Sequence, residues 1–313
     1  MRYDVYFHND FDGRASVAVF WDFLRKRGDG VGRFYAVDHG DKLALNWEKI
    51  ISKSKNKVAI FDFYYHPKAT FWFDHHRTTF KKTEWQKNFK ATKFHVLKPE
   101  YLSCCRLVMD YLGRNFEYKP SGYIRELARW LEVVDGARYK SPKQTIEIRE
   151  PALQIDAYID ENSSGGKPLK WIIESLSRKS LRLLANDKRV RKTAVLVRKK
   201  IKAGLVFQKK HLQIYGQVAF VDLSSNVDRV RFGPHYLYPK LAFIITMLKS
   251  GGMFRISVGV TPWRRSSCTL DLGDLVRKRY GGGGHKYAAG IAGIKSRGKA
   301  SQIVDELIEV LGK

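Results

Sequence analysis

The chain has 313 residues, 44% of them hydrophobic, enough for about two domains with their own cores. No run approaches the roughly 18 apolar residues of a membrane-spanning helix, and three cysteines, two of them adjacent (Cys104, Cys105), build no disulfide framework. Lys and Arg total 58 against 31 Asp and Glu, a formal charge of +27; such a field concentrates polyanions, so nucleic acid leads as a partner class, ahead of a charge kept only for solubility and of an anionic membrane.

The opening Met1-Arg2-Tyr3-Asp4-Val5 lacks the apolar core of a signal peptide. With the cysteine usage, this points to the cytoplasm. Arg2 to Phe7 reads as a first strand and runs into His8-Asn9-Asp10-Phe11-Asp12-Gly13. If the chain stays extended, alternation puts His8, Asp10 and Asp12 on one side, and Gly13 permits a sharp turn. Arg14 to Leu24 then reads as a buried helix. Two carboxylates and an imidazole between a strand and a helix are expensive without a cation, and that donor set suits Mn²⁺ or Zn²⁺ better than Ca²⁺. The plainer alternative is a polar turn in which Asp12 caps the helix.

Arg33 to Val37 predicts a second strand, ending at Asp38-His39-Gly40, a polar group with no evident partner. A helix around Leu43–Ile51 follows. Lys57 to Phe61 is a continuous apolar run, as in a parallel sheet covered on both faces, and ends at Asp62. Ala69 to Phe73 is a fourth strand and ends at Asp74-His75-His76. Ligand sites in open α/β sheets gather at the carboxyl ends of strands. An Asp-His-His triplet there supplies metal ligands and a partner to orient them, although taken alone it could be a solvated loop with two histidines. Three strand ends that each carry carboxylate or imidazole make coincidence a poor explanation.

Residues 77–100 are basic and loop-like. Tyr101 to Leu112 predicts a helix with Cys104, Cys105, Leu107 and Val108 on its core face, where cysteine serves packing. Ser121 to Val134 has helical apolar spacing and ends at Asp135-Gly136, where Asp135 alone would be a turn residue. Lys167 to His211 holds 15 Lys or Arg and two acids. It reads as a helical domain connection, either a solvated face or a stripe along a nucleic-acid backbone. From near Leu212 a second domain begins, with strands at Gln217–Val221, Leu241–Ile245 and Phe254–Val260 and a helix over Leu272–Tyr280. Gly281-Gly282-Gly283-Gly284-His285-Lys286 follows, then Tyr287-Ala288-Ala289-Gly290. Four glycines leave backbone N–H groups free to approach an anion, with His285 and Lys286 as added donors; a flexible linker is the other reading. Gln302 to Leu311 is a closing helix.

These motifs together resemble the DHH-superfamily phosphoesterases. His8-Asn9-Asp10-Phe11-Asp12-Gly13, Asp62, Asp74-His75-His76 and Asp135 fall in the order of the four family motifs, and Gly281 to Gly290 is similar to the glycine-histidine signature of the DHH-associated C-terminal domain. The resemblance spans nearly the whole chain. It implies an α/β fold: a doubly wound, mainly parallel N-terminal domain (residues 1–165), a basic helical linker (166–211) and a smaller mixed α/β domain (212–313), with the active site in the cleft between them. It further implies two divalent ions, Mn²⁺ or alternatively Mg²⁺. His8 and Asp10 would hold one, Asp12, His75 and Asp135 the other, and Asp62 would bridge. Asp74 would orient an imidazole and His76 would contact the scissile phosphate. His285 with Gly282, Gly283 and Gly284 would grip the substrate, and Arg265-Ser266 would match a ligand-touching arginine-serine pair. The first motif is tighter than in the best-known nanoRNase and pAp phosphatase branch. It is similar to the RecJ side and the second nanoRNase type.

The expected function is hydrolysis of short single-stranded RNA or DNA to mononucleotides by a two-metal phosphodiesterase. A small-nucleotide enzyme, acting on a signalling dinucleotide or pAp, is the second reading. A nucleic-acid-binding protein with an inactive metal site is the third. No membrane partner is expected, and a homodimer is allowed.

Overall fold

The structure is a computed structural model that describes residues 1–39, 42–164, 166–167, 169–225 and 228–312; the side chains of Ser250, Arg264, Ser266 and Ser267 fall outside that description. The chain forms two compact units, Met1–Arg138 with Arg149–Ala194, and Tyr139–Ile148 with Val195–Lys313. In chain order the first half runs β1 (Arg2–His8), α1 (Phe11–Lys26), β2 (Gly30–Val37), α2 (Lys42–Leu45), α3 (Trp47–Ser52), β3 (Lys57–Phe61), β4 (Phe71–Asp74), α4 (Thr83–Asn88), β5 (His95–Leu97), α5 (Cys104–Phe116) and α6 (Gly122–Val134). Then come α7 (Pro142–Glu147), α8 (Pro151–Asn162), α9 (Lys170–Leu176), α10 (Leu181–Ala185) and α11 (Lys188–His211).

The first unit is built on a parallel sheet of order β2-β1-β3-β4-β5. Strand alternation sorts its side chains onto two faces. Val5, Phe7, Ala59, Phe61, Phe71 and Phe73 join α1, α5, α6 and α8 to α10 in one core. Tyr6, Val58, Ile60 and Trp72 pack against Trp47 and Ile51 of α3 in another. The sheet is therefore doubly wound. In this strand order the chain reverses direction across the sheet between β1 and β3, and the crevice outside their carboxyl ends is the favoured ligand position. His8 ends β1, Asp62 follows β3, and Asp74 ends β4.

Local chemistry sets several boundaries differently from the sequence pattern. Helix α1 starts at Phe11, three residues before the expected Arg14, because Asp10 and not Asp12 is its cap. Asp10 is extended (φ −114°), and its side chain accepts the Gly13 N–H at 2.9 Å. Gly13 is no turn residue. A Cβ there would stand 2.2 Å from the His8 carbonyl oxygen, so glycine lets α1 sit directly against the end of β1. The single helix expected at Leu43–Ile51 is two short ones that meet at Asn46. The stretch 77–100 contains α4 and β5. The expected connection, 166–211, holds three helices, and Ile172, Ile173, Leu176, Leu181, Leu184 and Val190 from them belong to the first core.

The second unit continues with β6 (Gln213–Tyr215), β7 (Val218–Asp222), α12 (Gly233–Leu237), β8 (Phe243–Ser250), β9 (Met253–Val260), a 3₁₀ turn at Pro262–Ser267, α13 (Leu272–Tyr280), β10 (Gly283–His285), β11 (Ala288–Ile294) and α14 (Arg297–Leu311). Its sheet has the order β10-β11-β9-β8-β7-β6 and is antiparallel except between β7 and β8. Helices α13 and α14 cover one face through Leu272, Val276, Ile303, Val304 and Leu307. Residues 139–148 join this unit; the Trp263 indole donates to the Tyr139 carbonyl at 2.8 Å. Among the described residues, no helix is long and apolar enough to cross a membrane.

Two buried histidines make stability depend on pH. His66 accepts the Lys68 N–H at Nδ1 (3.1 Å), and its pKa falls to about 4 by burial. Burial alone lowers His235 to about 4. Both would titrate near 6.5 in the unfolded chain. As pH falls the unfolded chain takes up protons first, so their stabilisation is complete above about pH 6.5 and is lost toward pH 4. Each contributes up to about 3 kcal/mol over that window. His66→Asn, which keeps the acceptor, should flatten the decline in urea midpoint between pH 6.5 and 4 relative to the parent. An unchanged decline would mean that the ring is protonated in the fold.

Candidate metal centre

The metal-type residues named from the sequence converge at the carboxyl edge of the parallel sheet. His8 Nδ1 lies 2.8 Å from Asp10 Oδ2 and 3.8 Å from Asp62 Oδ2. His75 Nε2 lies 3.4 Å from Asp62 Oδ1, 3.4 Å from Asp135 Oδ2 and 3.8 Å from Asp12 Oδ2. Three overlapping donor sets result, His8–Asp10–Asp62, Asp12–His75–Asp135 and Asp62–His75–His76, each with its donor atoms within 4.8 Å of one another. Asp62 and His75 are each shared between two sets.

The backbone holds these groups from behind. His75 Nδ1 lies 3.0 Å from the Tyr101 carbonyl oxygen, which can only accept, so Nδ1 carries the proton. In the neutral ring Nε2 is then a lone pair, aimed at three carboxylates. His75 Nε2 and Asp62 Oδ1 are buried and make no hydrogen bond. A lone pair that faces carboxylate oxygens is repulsive unless a cation lies between them. This is the fit expected of a divalent ion with nitrogen and oxygen ligands.

Asp12 is fixed differently. The N–H groups of Cys104 and Cys105 donate to its two oxygens at 2.6 and 3.0 Å. They form the first turn of α5, whose N-terminus favours a negative charge. Asp74 is 1% exposed and does not face the cluster with both oxygens. Its Oδ1 accepts the N–H groups of His75 (2.7 Å) and His76 (3.1 Å) and His76 Nδ1 (2.9 Å), while Oδ2 accepts the Thr79 hydroxyl. It thereby shapes the turn that presents both imidazoles. Asp62 has φ 58°, a left-handed conformation that Asp tolerates better than most residues. Strain of this kind at a strand end is retained where a side chain must point one way.

Crowding appears in the protonation equilibria. Burial, Asp62 and Asp135 raise Asp12; burial and Asp10 raise Asp62; burial raises Asp135. Burial alone would lower His8, but Asp10, Asp62 and Asp38 outweigh it and lift the ring to about 10. His76 is likewise lifted to about 9 against burial, by its bond to Asp74 and by Asp62. Without a metal, the cluster gathers protons to cancel its own charge.

The structure adds residues that sequence reading missed. Asn9 Nδ2 donates to Asp38 Oδ2 (2.7 Å) and to the Ser163 carbonyl (2.8 Å). The fully buried Arg14 donates to Asn9 Oδ1 and to the Lys167 carbonyl (2.8 Å). The His39 ring lies 5.1 Å from that of His8, and its Nδ1 is 3.0 Å from the Tyr64 hydroxyl. Asp38 and His39 already stood out as a polar strand end, but nothing in the sequence supplied their neighbours. Gly40 of that group lies outside the described residues.

In the second unit the glycine run is a strand rather than an open loop. Gly281 caps α13 at φ 65°. A Cβ at Gly282 would strike the Gly290 carbonyl (2.4 Å), and one at Gly284 the Ala288 carbonyl (2.3 Å). Close packing thus accounts for both, whereas Gly283 faces open space. His285 is exposed on β10. Arg265 sits in the 3₁₀ turn beyond β9, its guanidinium 5.3 Å above the Tyr287 ring. The Ser266 side chain lies outside the described residues.

No protein-family model matches the sequence, and no curated protein sequence does. Solved structures do share the fold. The pGpG-specific phosphodiesterase PggH from Vibrio cholerae has a TM-score of 0.70 at 17% identity, over 98% of both chains. An exopolyphosphatase-related protein from Bacteroides fragilis has a TM-score of 0.53 at 13% identity, over 99% of this chain and 92% of that one. RecJ from Thermus thermophilus, solved in complex with Mn²⁺, has a TM-score of 0.53 at 13% identity, over 99% of this chain and 52% of RecJ. At these identities what the chain shares with them is the fold.

Two substitutions separate shape from charge here. Asp62→Asn keeps the left-handed conformation and removes the shared carboxylate. It should weaken Mn²⁺ binding by at least about 100-fold in calorimetry while the melting curve of the ion-free protein holds or rises. Gly13→Ala drives a methyl into the His8 carbonyl and should cost on the order of 3 kcal/mol in urea unfolding. Wild-type stability in that variant would mean that α1 is free to move away from β1.

Proposed function

We propose that the chain is a two-metal phosphodiesterase that hydrolyses short single-stranded oligonucleotides to mononucleotides. The observation that carries this reading is His75 Nε2, aimed by the Nδ1 contact to the Tyr101 carbonyl at Asp12, Asp62 and Asp135. In this reading His8, Asp10 and Asp62 hold one divalent ion, and Asp12, His75, Asp135 and Asp62 the other, with Mn²⁺ preferred on ligand type and Mg²⁺ as the substitute. Two such ions supply an activated water and stabilise the attacking and leaving oxygens of an in-line displacement. The protein's own part is position. Asp74 locks His76 through Nδ1, which leaves Nε2 to contact a phosphate oxygen. Asp12 and His75 are set by backbone groups of α5 and Tyr101. His285 and Gly283 bind the strand, with Arg265 beside them and Ser266 as a further contact. The three free cysteines suit the reducing cytoplasm.

A signalling dinucleotide is the second reading, because the pGpG phosphodiesterase shares the fold over nearly both full chains. The charge of +27 favours the longer substrate, since a small nucleotide needs only a local basic cluster. The basic helix α11 is the other support. Arg191, Lys192, Lys199, Lys202, Lys209 and Lys210 are exposed on it. Arg198 is committed instead to the Glu147 and Ile148 carbonyls, at 3.2 and 3.1 Å.

Product analysis with Mn²⁺ on oligonucleotides of graded length, cyclic and linear dinucleotides and pAp tests the assignment. Mononucleotides released from strands of about two to five residues are expected, with turnover abolished in Asp62→Asn. Hydrolysis of pAp alone would overturn the oligonucleotide reading. His285→Ala should raise KM by about ten-fold while bound Mn²⁺ stays at the wild-type level; loss of the metal would instead make His285 a ligand.

A further inference from the structure

The register of the second sheet collects basic groups on its uncovered side. Along β9, Phe254, Ile256, Val258 and Val260 belong to the core beneath α13 and α14, so Arg255, Ser257 and Gly259 point the other way. Ser257 pairs with Gly290 and Gly259 with Ala288, while Gly290 pairs with Gly283 and Ala288 with His285. Arg255, Ser257, Gly283 and His285 therefore share one face, floored by Gly259, Ala288 and Gly290.

Arg255 leans across that floor. A Cβ on Gly290 would meet its Nε and Nη2 at 3.9 Å. Arg229 reaches the same place from the segment before α12, and its Nη2 donates to Ser257 Oγ at 3.2 Å. Burial, Arg231 and Arg255 together pull the Arg229 pKa down to about 10. Among the described residues, no carboxylate lies within ion-pair distance of Arg229, Arg231 or Arg255. Guanidinium groups gathered without a counter-charge lack an anion, and their planar fork matches phosphate. The glycine floor lets a phosphate and its sugar approach the sheet closely.

We propose that Arg229 and Arg255, oriented by Ser257, form a phosphate subsite for a phosphodiester of the substrate strand beyond the one held at His285. The separation argues for a second phosphate. Ser257 on β9, which holds Arg229, stands two strand spacings from β10, on the order of 10 Å, more than one phosphate spans. The proposal rests on the reading of the chain as a phosphodiesterase for short strands, and it names what makes a strand preferred over a mononucleotide.

The test is binding by the full-length protein in Mg²⁺ buffer, read by fluorescence anisotropy over a salt series. The probes are a labelled mononucleotide and a labelled five-nucleotide phosphorothioate strand, which keeps the backbone charge and slows hydrolysis. The double variant Arg229→Gln/Arg255→Gln should bind the strand at least ten-fold more weakly, with a salt slope flatter by about 0.7 for one lost contact. The mononucleotide should lose clearly less. Ser257→Ala, which frees Arg229 without removing charge, should weaken strand binding and keep the slope. Wild-type affinity and slope in the double variant, or equal losses for both probes, would overturn the subsite. Turnover separates this from the wider reading. A wild-type protein that cleaves no strand yet shows arginine-dependent binding loses the enzyme assignment and keeps the subsite; one that cleaves strands while the double variant binds them normally keeps the enzyme and loses the subsite.

Discussion

The arrangement depends on one electrostatic conflict. Three carboxylates, Asp12, Asp62 and Asp135, crowd within 4 Å of the buried His75 Nε2, and Asp12 and Asp135 raise its pKa against burial. Burial makes each of those charges expensive, and mutual repulsion makes them more so. Protons relieve the conflict partly, metal ions more fully. The anchors show why the cluster does not simply open. Asp12 is held by two N–H groups of α5, His75 by the Tyr101 carbonyl, and the Asp-His-His turn by the Asp74 carboxylate. Each anchor is backbone, or a side chain bonded to backbone. The repulsion is therefore built in at folding and is available as binding energy for cations.

Topology puts the conflict where it is. In a sheet of order β2-β1-β3-β4-β5 the reversal of chain direction leaves a crevice between the ends of β1 and β3. His8 and Asp62 flank that crevice, and β4 adds the histidine pair from the next strand. Two local devices bring the donors close. Gly13 removes the Cβ that would hold α1 away from the His8 carbonyl. The left-handed backbone at Asp62 turns its carboxylate off the line of β3. Gly13 also serves packing, whereas the left-handed backbone at Asp62 is explained by the position of a donor atom.

What the sequence disclosed follows the same division. Strands β1, β3 and β4 were legible because buried parallel strands are short apolar runs with abrupt polar ends. Helix α13 lies over Leu272–Tyr280 as its pattern indicates, since Asp271 and Gly281 mark both ends. The start of α1 was not legible: Asp10 and Asp12 are equally good caps on paper, and only the approach to His8 decides between them. The glycine run leaves two readings open for a related reason. Glycine signals close approach, and the sequence does not say whether the close neighbour is an anion or the protein's own β11. Residues 139–148 join the second unit through the Trp263 indole, the Arg198 guanidinium and aromatic contacts, long-range terms that no local pattern carries.

Charge balance ties the two units together chemically. A phosphodiester is repelled by the ion-free carboxylate cluster, however positive the chain is as a whole. In the proposed reading the formal +27 would act less at the reacting phosphate than on the rest of the strand. The first unit concentrates acids around His75 and gains attraction for phosphate only through cations. Among the described residues, the second keeps Arg229, Arg231 and Arg255 without carboxylate partners, and would attract phosphate directly. Affinity and chemistry are thus assigned to different groups. In the proposed reading, strand binding would follow fixed side-chain charge and fall with salt, whereas cleavage would follow the occupancy of the metal donors. On that reading, the separation would allow an acidic centre to serve a polyanionic substrate.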